Sequence, residues 1–342
     1  MRTRTMLFFI APSAVLMLVF IFAPLVSVAI QSLYTTTVVR ETVKVETCSP
    51  GFLAQICTTT ERSQVKTGPN GNALTETRFS GLESYRAVLE PEKVAAAFSA
   101  AGKGLADVLR LDFWRALRFT LMFTFVTLPL VVGLGLVIAL AVNQAVRALR
   151  GPLVFVSLLP YIVTPVIGAL SIRWLFVGDG IVTAALRATI DPSISFFAQG
   201  WTIELLMLLY RVWHTAPFAF IILYAGLQTV DQDTLESAVI DGASRWERLR
   251  YVVVPHLAPL IIFVSLIHLM DAYRVFEEVV GFASEAHVIS LQWLTFNYLM
   301  PDFTGNRYVS RASASSMLTM VGIVLLLVPV LRRVWRDNRP RG

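Results

Sequence analysis

Glu236-Ser237-Ala238-Val239-Ile240-Asp241-Gly242-Ala243, followed thirteen residues after Gly242 by Pro255, is a polar stretch in an otherwise apolar part of the chain. It lies between two apolar runs, Leu205–Val230 and Val252–Met270. Each run is long enough to cross a bilayer, which takes roughly 20 mostly apolar residues. The stretch reads as a helix closed by a turn, and Gly242 stands where a side chain would disturb that turn. A structured polar loop between two spans reads as a docking surface for a soluble partner.

The rest of the chain agrees with that placement. Of 342 residues, 56% are hydrophobic and 15% charged, and the mean hydropathy is +0.66. This is the composition of an integral membrane protein. Six runs qualify as spans: Met6–Ile30, Phe119–Val142, Pro152–Ile172, Leu205–Val230, Val252–Met270 and Ala312–Leu331. None shows the ~10-residue alternation of a barrel strand. The first run follows a basic start (Arg2, Arg4) and ends near Ser27-Val28-Ala29, as a signal peptide would. Its 25 uncharged residues exceed the apolar core of a signal peptide, about 7–15 residues, so it reads as a span.

The expected fold is an all-α polytopic membrane protein with six transmembrane helices. Residues 1–33 form a tail and the first span, 34–112 an extracytoplasmic insert, 113–335 a core with the other spans and the polar loop 231–255, and 336–342 a basic tail. Arginines near span ends set the orientation. One side collects Arg2, Arg4, Arg147, Arg150, Arg245, Arg248, Arg250, Arg332, Arg333, Arg336, Arg339 and Arg341; the other carries Arg187, Arg307 and Arg311. The first side, with both termini and the loop, is expected to be cytoplasmic. The net charge of +6 needs no nucleic-acid partner, because the excess sits beside membrane ends, where anionic lipid favours it.

A stretch of roughly 80 residues between the first two spans should hold structure of its own. Thr35–Val45 reads as a strand, and Gly68-Pro69-Asn70-Gly71 as a turn between two strand-compatible runs, Ser63–Thr67 and Ala73–Phe79. A small β-rich insert follows. Ser84–Ala97 and Leu105–Leu117 read as surface helices. Cys48 and Cys57, the two cysteines of the chain, lie on the oxidising face, where a disulfide is expected; two free thiols is the other reading. No metal site is expected, since no His or further Cys stands near them.

Catalytic patterns are absent. The nearest fragment to a phosphate cradle, Gly102-Lys103-Gly104, lacks the upstream glycine and the hydroxyl that would hold magnesium. With four histidines in all, and no Ser-His-Asp set or paired-carboxylate site, neither a catalytic role nor a resident metal is expected.

Ionisable groups inside spans are costly and by default mark a pathway. Arg211 lies about ten residues from Trp201, so roughly 15 Å deep at 1.5 Å per residue. Arg211, His214, Thr215 and Phe218 share one helix face by their spacing, and His268, Asp271, Ala272 and Val275 form a similar row on the next span. Asp271 would neutralise Arg211 or Arg274. Two readings stand: a structural ion pair between packed helices, or a substrate passage formed by Arg211, His214, Thr215, Phe218, His268, Asp271 and Arg274. Gly133, Gly135 and Gly168 would permit close helix approach, and Pro129, Pro160, Pro165 and Pro217 would kink their spans.

Glu236-Ser237-Ala238, three residues, Gly242, nine residues, then Val252-x-Val254-Pro255 resembles the EAA loop of ABC-importer permeases. Asp241-Gly242-Ala243-Ser244-Arg245-Trp246 resembles its carbohydrate-type (maltose / glycerol-3-phosphate permease-like) version. Ser237 replaces an alanine, and valines replace Ile and Leu before Pro255. Phe79-Ser80-Gly81-Leu82-Glu83-Ser84-Tyr85 and Phe113-Trp114-Arg115-Ala116-Leu117 also resemble that family, except that Ser84 replaces Asn. The resemblance covers about residues 79 to 335, and the 35–78 insert falls outside it.

The resemblance implies a type I importer permease fold in the plasma (inner) membrane of a bacterium. It implies that Glu236, Ser237, Ala238, Asp241, Gly242, Ala243 and Pro255 couple to an ATPase. The partners implied are a second permease, two ATPase subunits that use ATP and magnesium, and an extracytoplasmic solute-binding protein. The helices flanking the loop would line the passage of a sugar or sugar derivative. The polar, aromatic-rich segment 273–311 would dip partly into the membrane from outside, or lie as a plain surface loop. Two arginines and a histidine near the passage point to an anionic sugar derivative, with a neutral sugar equally open. An ion-coupled secondary transporter is the alternative, for which inverted repeats are missing.

Overall fold

The computed structural model describes residues 3–50, 55–66, 74–99, 104–193, 195–302 and 306–337. Helix α1 (Thr3–Met17) runs through a π-helical turn (Leu18–Phe22) into α2 (Ala23–Gln31). Strands β1 (Tyr34–Val38), β2 (Arg40–Pro50), β3 (Gln55–Val65) and β4 (Thr75–Phe79) follow. Short helices α3 (Glu83–Leu89), α4 (Pro91–Ala97) and α5 (Leu105–Val108) lead to the long α6 (Asp112–Gln144). Next come α7 (Arg147–Ile162), α8 (Pro165–Phe176), α9 (Ile181–Thr189) and α10 (Gly200–Leu227). The polar loop holds α11 (Gln232–Ile240) and α12 (Arg245–Arg248), and a π-helical turn (Leu249–Val253) opens α13 (Val254–Tyr273). The chain continues through α14 (Glu277–Gly281), α15 (Leu291–Leu299) and α16 (Val309–Asp337).

Among the described residues, six helical stretches are long and apolar enough to cross a membrane: Phe8–Gln31, Asp112–Gln144, Pro165–Thr189, Gly200–Leu227, Arg245–Tyr273 and Val309–Arg332. Five match the expected runs. The third does not, because the expected helix Pro152–Ile172 is broken at Val163-Thr164, whose ψ angles of 133° and 130° are extended. The cause is Pro165, whose ring disfavours the helical region for the residue before it. Pro129, Pro160 and Pro217 lie inside continuous helices instead.

The molecule forms two compact units: residues 1–92 with 295–318, and 93–294 with 319–342. In the first, β1 pairs antiparallel with β4 and β2 with β3. The expected strand Thr35–Val45 is therefore two strands, parted at Val39. The runs flanking the Gly68–Gly71 turn are not hairpin partners: each pairs with an earlier strand, and Leu74 N–H donates to the Lys66 carbonyl at 2.8 Å. The turn itself lies outside the described residues. Cys48 stands directly opposite Cys57 in the β2·β3 register. The expected helix Ser84–Ala97 is split at Glu90, whose φ of 47° closes α3 just before Pro91. The expected helix Leu105–Leu117 divides at 109–111, where α6 takes over.

In the second unit α6 packs on α10, and α13 on both. The buried side of α6 recurs every three or four residues (Phe113, Ala116, Thr120, Phe123, Thr127, Val131, Gly135, Ala139, Val142), the stripe of a helix that packs on one face. Its threonines turn their hydroxyls back onto the helix: Thr124 donates to the Thr120 carbonyl at 2.7 Å and Thr127 to that of Phe123 at 2.8 Å. A Cβ on Gly135 would lie 2.6 Å from the Ala219 Cβ, so only glycine allows this approach. Gly168 gives the same room to the Tyr210 hydroxyl, whereas Gly133 faces open space, contrary to expectation.

Candidate functional site

Helix α10 presents Arg211, His214, Thr215 and Phe218 to a cavity of about 470 Å³. Helix α13 contributes Ile267, His268 and Asp271 from the other side, α14 contributes Glu277, and Tyr161 of α7 and Pro165 of α8 complete the lining. Two rows expected on separate spans thus meet at one cavity. The α13 row divides, however: Ala272 and Val275 turn into the apolar core with Val279 and Phe282. Arg274 follows α13 as its exposed cap and does not line the cavity.

Arg211 is the centre of the charge pattern. Its Nη1 donates to Glu278 Oε1 at 2.7 Å, and its Nη2 donates to Asp271 Oδ2. The guanidinium fork suits two carboxylates at once. Glu278 is fully buried, whereas the Asp271 side chain is 65% exposed. In the sequence, Glu278 stands out only as one of the charges (Arg274, Glu277, Glu278, Glu285, Asp302) that make the segment 273–311 too polar to span. Its burial follows from α14, a short helix whose Val279 and Gly281 pack inward; a Cβ on Gly281 would lie 2.5 Å from that of Ala169.

The broken helix is also part of the site. The break leaves carbonyls without helical partners, and such groups at membrane depth must be satisfied by neighbours. His214 Nε2 donates to the Val163 carbonyl at 2.9 Å, and the Tyr210 hydroxyl to that of Pro165 at 2.7 Å. The break brings Tyr161 over Phe218, with ring centroids 5.9 Å apart and planes 24° from parallel. On the far side, His268 Nε2 lies 2.9 Å from the Thr127 hydroxyl. That hydroxyl already gives its proton to Phe123, so Nε2 is the donor and Nδ1 is left as an acceptor.

The polar loop is built by local rules. Asp231 caps α11 by accepting from the Asp233 N–H at 3.1 Å. At the other end Gly242 has φ 79°, its N–H donates to Val239, and that of Ala243 donates to Ala238. This is a Schellman closure, which a left-handed glycine favours. Ser244 and Glu247 then form a reciprocal capping box: the Ser244 N–H donates to Glu247 Oε2 at 2.7 Å, and the Glu247 N–H to Ser244 Oγ at 3.3 Å. Pro255 follows the π turn and has no N–H to give back to the Tyr251 carbonyl. Glu236 and Ser237 are exposed on α11, with Ala238 half-buried. Val239, Ile240, Trp246 and Tyr251 stand 52%, 85%, 66% and 69% exposed, apolar side chains set out along a largely polar loop.

A second cavity, about 380 Å³, lies in the other unit between β1, α3 and the start of α16. Arg311 lies over the Tyr308 ring at 4.8 Å, and the Tyr308 hydroxyl donates to Asp302 at 2.9 Å. That hydrogen bond, with the carboxylate's charge, holds the phenol above its ordinary pKa. Among the described residues, no three His, Cys, Asp or Glu side chains are placed so that they could hold one metal ion.

Known proteins share this architecture. The chain is 32% identical over 255 residues to the trehalose/maltose transport system permease protein MalF of Thermococcus litoralis, covering 69% of this chain and 80% of that one. It is 31% identical over 249 residues to the trehalose transport system permease protein SugA of Mycobacterium tuberculosis, covering 70% and 76%. A chain of a bacterial ABC transporter involved in the import of the acidic polysaccharide alginate superposes with a TM-score of 0.58 at 20% identity, covering 75% of this chain and 92% of that one. That likeness shows the fold. The family described as binding-protein-dependent transport system inner membrane component matches residues 94–334, and the chain belongs to it.

Proposed function

We propose that this chain is a permease subunit of an ATP-binding-cassette importer and forms part of the path for a sugar or sugar derivative. The observation that carries the reading is the loop of α11 and α12. It is capped at both helix starts, closed by Gly242, and exposes Ile240, Trp246 and Tyr251 between two spans. Such a self-supporting apolar knob suits the groove of a soluble partner. In this reading the knob docks on an ATPase subunit, with Glu236, Ser237, Ala238, Asp241, Gly242 and Ala243 at or beside the contact. ATP and magnesium belong to two such subunits, and this chain carries no catalysis.

A second permease completes the path, and an extracytoplasmic binding protein delivers the sugar. Both termini and the loop face the cytoplasm from the inner membrane. The cavity around Arg211 is the passage, and Arg274 has no part in it. The names of the trehalose/maltose and trehalose permeases support the sugar class. Reconstitution with candidate ATPase and binding-protein partners in proteoliposomes tests the reading. Sugar uptake should require ATP and disappear with Gly242→Trp. Uptake driven by a proton or sodium gradient without ATP would overturn it.

A further inference from the structure

The proposed passage has a chemical bias. Three carboxylates (Asp271, Glu277 and Glu278) stand around one guanidinium, which is already engaged by two of them. The arginine that would attract an anion is thus neutralised from within the protein. The remaining capacity is mostly for accepting hydrogen bonds. Asp271 uses one oxygen on Arg211, Glu277 lines the cavity, and His268 Nδ1 is an acceptor. Of the described side chains that line the cavity, His268 and Arg211 each bury a polar atom without a hydrogen-bond partner, Nδ1 and Nε. His268 is 1% exposed and lines the cavity all the same.

A ligand carboxylate offers only acceptors and adds negative charge. An ammonium offers only donors and cannot answer Arg211 Nε–H. A hydroxyl both donates and accepts, and a ring with several hydroxyls meets this mixed set. Beside the polar wall, the stacked Tyr161 and Phe218 offer an apolar face of ring size.

We infer that the cavity of α10, α13 and α14 recognises a neutral polyhydroxyl ring, with acidic acceptors on one side and Tyr161 and Phe218 on the other, and excludes uronic sugars. The inference rests on the cavity being the sugar passage. Arg211 acts as a positioning residue: it holds the Asp271 and Glu278 carboxylates in place.

Thiol protection tests the two claims separately. Ile267→Cys places a reporter on the cavity wall, at a side chain 40% exposed. Thr215→Cys is the second reporter if the first complex does not assemble. Alkylation is timed in the purified transporter complex, without binding protein, while trehalose, a diuronate disaccharide or a diamino disaccharide is titrated. Trehalose should slow the reaction, and the diuronate should need about tenfold more sugar for the same protection, equivalent to ~1.4 kcal/mol. Glu277→Gln should narrow that gap by about threefold, because one like charge is removed. Equal or better protection by the diuronate would overturn the exclusion while leaving the passage standing. Tighter protection by the diamino sugar would replace a neutral with a cationic substrate and also overturn the inference. Protection by none of the three would overturn the passage itself.

Discussion

The polar loop of α11 and α12 and the charged cavity are built by opposite means. The caps and turns of the loop come from within 25 consecutive residues, in which Asp231, Gly242, Ser244, Glu247 and Pro255 each act on a neighbour, while Leu235 and Leu249 pack its base on the apolar core. The cavity draws Tyr161, Arg211, Asp271 and Glu277 from four helices, so its geometry exists only once those helices have packed. A part that must meet another protein can be specified locally and stand exposed. A part that must hold charge at membrane depth needs partners from afar, since an isolated arginine there costs at least ~2.5–3.5 kcal/mol.

This contrast breaks most readily at Arg211. Arg211→Ala should destabilise the assembled complex by about 3–5 kcal/mol, since it leaves Glu278 buried without its partner. Thermal unfolding of the purified complex measures it. Adding Glu278→Ala should recover more stability than adding Asp271→Ala, because Glu278 is buried and Asp271 largely exposed. A full-stability Arg211→Ala complex would mean that the fork does not hold the cavity together.

Gly135 tests the packing beneath the cavity. Gly135→Val should cost about 1–3 kcal/mol, because its side chain would overlap Ala219 and the Phe220 backbone. Gly133→Val should change the unfolding midpoint little, since a Cβ there meets nothing within 4 Å. Equal effects at the two glycines would contradict the packing described.

The loop should fail locally. Gly242→Val forces a branched side chain into a left-handed conformation, at about 1–2 kcal/mol. Co-purification of the ATPase subunit should fall while the unfolding midpoint of the spans holds. Smaller still, Ser244→Ala removes one half of the capping box, at about 1 kcal/mol. Amide hydrogen exchange at 245–248 should quicken, with the cavity reporters unchanged. If either substitution altered thiol protection in the cavity, the two regions would not be independent.

The insert makes the smallest claim. With Cys48 facing Cys57 across the ribbon, denatured but unreduced protein should show no reactive thiol. Two alkylated cysteines would exclude the bridge.

The same contrast explains what the sequence made legible. Five spans, the strand-rich insert and the loop follow from hydropathy, turn residues and motif spacing, all of them local signals. The third span is not legible in the same way: the run Pro152–Ile172 carries no charge, and its stop lies in one backbone restriction ahead of Pro165. The rows on α10 and α13 were visible as helical spacing, including the Arg211–Asp271 pair. Spacing alone did not show that Ala272 and Val275 turn away from the cavity. Glu278 is hidden for a related reason: nothing local separates a carboxylate that caps a surface helix from one buried under an arginine four helices back.

The close approach at Gly135 has a mechanical corollary. With no room for a methyl group between α6 and Ala219, the two helices have no slack to slide past one another, and should travel as a single stiff lever. The loop of α11 and α12 joins that lever through Gln228–Asp231, a link of four residues that spans at most about 14 Å even when straight, and its Leu235 packs on the same apolar core. A displacement of the loop is therefore delivered to the lever almost undiminished. The give must come from elsewhere, and the unwound Val163-Thr164 joint, tied to the lever by His214 and flanked by the Tyr210–Pro165 hydrogen bond and the Tyr161–Phe218 stack, is where this fold can bend.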